Sequence, residues 1–141
     1  MAAYVKYNVA VGPITKAFNV STDTWKIALA SAVTVTDTTF TPGTTDLTTS
    51  GGYTAGGNSA AYTSSTVSGA TPGVETLILA SPAAWTASGG GFSFRYVILW
   101  NVTNSVPVAY WDYGSTVTMN GTNADTFTVT LDGTNGVFQV T

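Results

Sequence analysis

The chain has 141 residues and a mass of 14.5 kDa, enough for one domain with a sizeable core and too little for two ordinary ones. Only 8% of its residues are charged while 44% are hydrophobic and 27 are threonine, and four Lys+Arg against seven Asp+Glu leave a net charge of −3. The absence of His and Cys excludes disulfide frameworks, zinc sites, Ser-His-Asp triads and cysteine nucleophiles, and the acidic balance offers no footprint for nucleic acid.

The start, Met1 to Tyr7, reads without the basic and continuous apolar regions of a signal peptide, and no run approaches the ~18 apolar residues of a membrane span. Folding in a reducing cytoplasm is the expectation. Tyr4–Val20 is ambiguous: Gly12-Pro13 breaks it, and Ile14–Phe18 reads as one helical turn or as irregular chain. Residues 1–20 are therefore taken as a short N-terminal arm and residues 21–141 as the folded domain.

Val and Thr dominate that domain, both stiff at the first side-chain torsion and suited to a pleated surface. Period-2 alternation recurs and long 3.6-period stripes do not. Strands are predicted at Asp23–Ala30, where Trp25, Ile27 and Leu29 alternate with Thr24, Lys26 and Ala28, then at Ala32–Thr36, Ala60–Val67 and Val74–Leu79. Thr41–Asn58, rich in Thr, Gly and Ser, reads as a long loop that is mobile or ordered by a neighbour. Gly89-Gly90-Gly91 makes a turn rather than a phosphate loop, since no Lys-Ser/Thr follows it.

Phe92–Trp100 is then apolar on both faces from Tyr96 onward, as a central or partner-covered strand would be. Val106–Tyr113 pairs back onto it, with Pro107 at a strand start or an edge, and Ser115–Met119 follows as a further strand. Asp125–Leu131 places Phe127, Val129 and Leu131 on one face and Thr on the other. The Asp132–Gly136 turn then predicts a C-terminal hairpin with Val137–Val140. Short strands at this spacing predict an all-β, antiparallel β-sandwich, jelly-roll-like, with the N-terminal arm attached.

The acids offer little for catalysis. Five of the seven, Asp23, Asp37, Asp46, Asp125 and Asp132, sit in turns or at strand ends, where Asp binds local backbone. Only Glu75 and Asp112 lie beside apolar strand segments and would serve as an acid/base pair. The competing reading pairs one of them with Arg95, the only Arg, in a structural ion pair; Asp112 is preferred because its strand is the near neighbour. No Asp-x-Asp-x-Asp cluster suits calcium, so neither a metal nor a cofactor is expected, and the chain is read as no enzyme. Tyr110-Trp111-Asp112-Tyr113, with Trp85 and Trp100, could form a sugar-stacking platform, but alternation divides Tyr110 and Asp112 from Trp111 and Tyr113. Packing in the core or at an interface is the competing use of these rings. The Asn-x-Ser/Thr triplets at Asn19, Asn101 and Asn120 are what chance supplies in so Thr-rich a chain.

The blocks Ser21–Leu29, Gly52-Tyr53-Thr54-Ala55-Gly56-Gly57, Trp85-Thr86-Ala87-Ser88-Gly89-Gly90, Phe94–Asn101 and Trp111-Asp112-Tyr113-Gly114-Ser115, followed by Asp125–Val129, occur in that order. Together they resemble a family of small virion-associated proteins of tailed bacteriophages over about residues 21–141; the N-terminal segment departs from the more helical start of that family. The resemblance implies a non-enzymatic β-sandwich subunit of the phage particle, assembled in the host cytoplasm. A capsid decoration (cement) protein on the head exterior is the reading it favours, with the major capsid protein and copies of itself, a trimer among the options, as partners. A tail or tail-fibre subunit, receptor- or glycan-binding, is the alternative, and a secreted binding module comes third. The partner interface is expected on the arm, at Tyr4 and Tyr7, and on the long loop, at Thr44, Thr45 and Tyr53. Neither nucleic acid nor membrane is an expected partner.

Overall fold

A computed structural model describes residues 3–7, 18–67 and 75–140. Among them the chain is all-β, with ten strands and no helix. The strands are β1 (Ala3–Lys6), β2 (Trp25–Ala30), β3 (Asn58–Ser59), β4 (Tyr62–Val67), β5 (Glu75–Leu79), β6 (Trp85–Thr86), β7 (Phe92–Asn101), β8 (Val106–Met119), β9 (Thr126–Phe127) and β10 (Phe138–Val140). They form antiparallel sheets in the orders β1-β8-β7-β2-β3, β10-β5-β4 and β6-β9, which share one hydrophobic core.

The two-sided apolar strand β7 lies third in the five-stranded sheet, and Val97 to Asn101 are all buried. Its partner β2 buries Trp25, Ile27 and Leu29 on one face and Ala28 and Ala30 on the other. Small alanines let a second layer approach that second face. On that face Trp100, level with Lys26, stacks on Phe40 at 4.0 Å between ring centroids. Pro107 stands at the start of β8, beyond the residues that β1 pairs, where among the described residues only β7 flanks it.

Three expected elements differ. Ala32–Thr36 is no strand but a largely exposed turn region, closed by the Asp37 N–H donating to the Thr34 carbonyl; its small side chains have no sheet neighbour once β7 stops pairing at Tyr96. Ser115–Met119 is the continuation of β8, not a separate strand: Val117–Met119 pair with Phe92–Phe94 and Val106–Asp112 with Tyr96–Asn101. Residues 113–116 bulge out opposite the single residue Arg95, with Gly114 at φ 79°.

The C-terminal hairpin is likewise absent. Thr126 and Phe127 pair with Thr86 and Trp85, while β10 pairs with Glu75–Leu77 of β5. The expected turn at Asp132 does form: its Oδ1 accepts the Thr134 and Asn135 N–H groups, and Gly136 N–H donates to its carbonyl. The turn, however, sends Val137 onto the Leu77 carbonyl rather than back along Val129. Alternation decides which face a strand buries, and says nothing of its edge partner.

The arm, too, is part of the sheet. Ala3–Lys6 pairs with Ala109–Asp112 of β8, and Tyr7 donates its N–H to the Val108 carbonyl. Of Ile14–Phe18, read as one helical turn or irregular chain, residues 14–17 lie outside the described residues.

Candidate functional site

Arg95 and Asp112 meet across the β7–β8 bulge. The guanidinium donates through Nε to Oδ1 at 2.8 Å and through Nη2 to Oδ2 at 2.9 Å, a bidentate fork, and lies 5.2 Å from the centre of the Tyr96 ring. Asp112 Oδ1 also accepts the Gly114 N–H at 2.7 Å, so one carboxylate clamps both sides of the bulge. The Arg95 hydrogen bonds, then that of Gly114, hold the Asp112 carboxyl below its ordinary value. A carboxylate so held is a poor proton donor or acceptor near neutrality. Glu75, its suggested acid/base partner, begins β5 in a different sheet.

The interface residues divide sharply. Tyr53 is 1% exposed and Tyr7 0%, so both side chains are internal and neither forms a contact surface. Tyr4 is half-buried, edge-on to Trp111 with ring centroids 5.4 Å apart; Tyr7 stands edge-on to Tyr110 at 5.6 Å. The hydroxyls of both Tyr4 and Tyr7 are buried without a hydrogen-bond partner among the described residues. Burial pushes Tyr4 up to about 12 and raises Tyr7 further, with Asp37 and Tyr110 adding to the second. Thr44 is exposed and Thr45 half-buried, its Oγ1 accepting the Thr41 N–H.

The loop at 41–58 needs no neighbour to order it. Asp46, 7% exposed, accepts the Gly43 N–H on Oδ1 at 2.6 Å, and on Oδ2 the Gly56 N–H and the Tyr53 hydroxyl, each at 2.5 Å. Tyr53 Oη in turn accepts the Leu29 N–H, and the Leu47 N–H donates to the Leu29 carbonyl. The Gly56 carbonyl accepts from Trp100 Nε1 at 3.0 Å. The loop thereby satisfies the free edge of β2 where β3 ends. Gly57, at φ 72°, presses its Cα against the Ile27 carbonyl, where any Cβ would collide. Burial and the hydrogen bond to Asp46 raise the Tyr53 phenol well above its ordinary value.

The loop's apparent low complexity hides this arrangement. One acid and one tyrosine among hydroxyls and glycines were the available signal, and Asp46 reads as an ordinary turn residue unless its burial is known.

The aromatic segment splits as alternation requires. Tyr110 lies among Tyr7 and Tyr96, while Trp111 and Tyr113 line an open cleft of about 530 Å³ with Tyr4, Val97, Thr128–Asp132, Gly136 and Val137. Trp85 and Trp100 are buried elsewhere in the core. Tyr113 is 44% exposed because the bulge carries it outward. Among the described lining residues one is charged, Asp132, held below its ordinary carboxyl value by its bonds to Asn135 and Thr134. Asn101, in one of the three Asn-x-Ser/Thr triplets, is 0% exposed, bonded to Asp23 and Asn104, and closed to modification. Compared with known protein families, curated proteins and solved structures, the chain matches none.

Proposed function

We propose that this chain is a structural subunit of a tailed-bacteriophage particle, a decoration protein that cements the head exterior through contacts with the major capsid protein and with copies of itself. One observation carries the reading: ionic groups are few, at 8% of the residues, and more than half of them are bonded within the chain. Of eleven charged side chains, Asp23, Asp46, Arg95, Asp112, Asp125 and Asp132 are engaged in hydrogen bonds within the chain. Much of the exposed surface is Thr, Ser, Asn and Gly, a surface that desolvates at little electrostatic cost when pressed against a neighbour. A stable contact removes about 1,600 Å² from water, and symmetry repeats each contact over many copies of a shell.

The test is co-sedimentation of the purified protein with empty heads, with stoichiometry read from stained gels. Saturation at high copy number, and heads that become heat- or chelator-fragile without the protein, support it. Protein that stays in the supernatant overturns it.

A tail or fibre subunit that stacks a glycan is the second reading, favoured by Trp111 and Tyr113 in the open cleft. It predicts few copies per particle and free protein that blocks infection.

A further inference from the structure

The strand demanded by alternation at Asp125–Leu131 is only partly paired. Thr126 and Phe127 have β6 as partner, but Thr128–Leu131 lie outside every strand. Alternation nevertheless persists there: Val129 and Leu131 are each 9% exposed, while Thr128 and Thr130 face solvent. The backbone groups of such a segment point alternately to its two edges. On one edge, the Asp125 carbonyl accepts the Ala87 N–H and the Leu131 N–H donates to Ser81 Oγ at 3.0 Å. Odd-numbered residues therefore address the β6 side, and Thr128 and Thr130 turn their N–H and C=O groups the other way.

The cleft lies on that other side. All four residues Thr128–Leu131 line it, as an edge does and a single face does not, and neither Ser81 nor β6 contributes. Opposite stand Tyr4, Val97 and Trp111, in register on one face of the five-stranded sheet, with Tyr113 of the bulge beside them.

We infer that Thr128–Leu131 is an open β-ladder that receives an extended, uncharged strand from another protein subunit, with an apolar side chain at every second position. The incoming strand bonds to Thr128 and Thr130, about 7 Å apart along the segment, and lays its apolar side chains on Val97, Trp111 and Tyr113. Peptide is favoured over saccharide because the free groups repeat at strand spacing, the floor is apolar, and the oxygens of the one rim carboxylate, Asp132, are already bonded. The source of the strand, a neighbour in a particle, rests on the function proposed above; the cleft's chemistry does not.

The test uses the full chain and a terminally blocked hexapeptide, Thr-Phe-Thr-Val-Thr-Leu, copying residues 126–131. In the free protein the Thr128 and Thr130 amides should exchange with solvent faster than that of Leu131, and the peptide should slow both by about tenfold or more while shifting tryptophan emission. Thr130→Pro, which removes one N–H, should abolish the effect, and Thr130→Val should keep it. Thr128 and Thr130 as protected as Leu131 in the free chain overturn the inference, whether or not the proline variant folds. So does emission that responds to lactose or cellobiose and not to the peptide. Thr130→Pro that still co-sediments with heads sinks the cleft's part in assembly and leaves the particle reading standing. Thr130-dependent peptide binding by a protein that ignores heads does the reverse.

Discussion

Asp46→Ala separates a loop that orders itself from one that a partner orders. The substitution strips the acceptor from the Gly56 N–H and the Tyr53 hydroxyl, both buried, and from the half-buried Gly43 N–H. Each buried donor left unmatched costs about 1–3 kcal/mol, and relief from desolvating the carboxylate offsets part of that. The net expectation is a loss of about 3 kcal/mol in the isolated chain. For a domain of this length that is a fall of about 10 °C in Tm. Urea unfolding followed by tryptophan fluorescence gives the free energy, and Tyr53→Phe in a double-mutant cycle gives the coupling, expected at about 1–2 kcal/mol because the two side chains share a bond. Amide exchange at Leu29 and Leu47 should quicken in Asp46→Ala, since the loop covers that edge of β2. An isolated variant within about 0.5 kcal/mol of wild type would refute the reasoning and return the loop to a partner's care.

Tyr4→Phe and Tyr7→Phe should leave stability unchanged or raise it by up to about 1 kcal/mol in thermal melts, since each removes a buried hydroxyl that has no partner among the described residues. Stability should fall as pH rises past the ordinary phenol value of 10.0: Tyr4, Tyr7 and Tyr53 stay neutral in the fold while the unfolded chain releases those protons, and alkaline denaturation curves would register it. Asp112 behaves oppositely. Its lowered carboxyl supports the fold at pH above the ordinary value of 3.8 and loses that support as pH falls below it, so Arg95→Met should flatten the acid limb of the stability profile. The two proteins should also converge in molar salt, the pair being part-exposed. Deleting residues 1–7 should destabilise the domain, because it bares the β8 edge and removes the fully buried Tyr7; circular dichroism of the truncated chain checks this.

What the residues revealed and what they concealed follows from the range of the interactions. The centrality of β7 was legible because burial on both faces writes apolar residues at every position from Val97 to Trp100. The Arg95–Asp112 pair was legible because a lone Arg inside a strand needs an anion and the neighbouring strand held one. Pairing of β9 with β6 and of β10 with β5 was not, because the choice of edge partner depends on where distant chain passes, a matter on which alternation is silent. The loop at 41–58 misled for a different reason. It is held by backbone N–H groups converging on one carboxylate, and backbone donors carry no residue identity.

The loop sealed over the β2 edge also governs how the sheet can grow. With the loop over one flank and β1 at the other, the described residues of the large sheet offer a newcomer the β1 edge. Two copies meeting there about a twofold axis would consume each other's β1 edge, so the large sheet itself would stop at a pair and further growth would have to pass through the ladder at Thr128–Leu131. For a chain so poor in repelling charge, closure of the large sheet at a pair would brake fibre growth along that sheet.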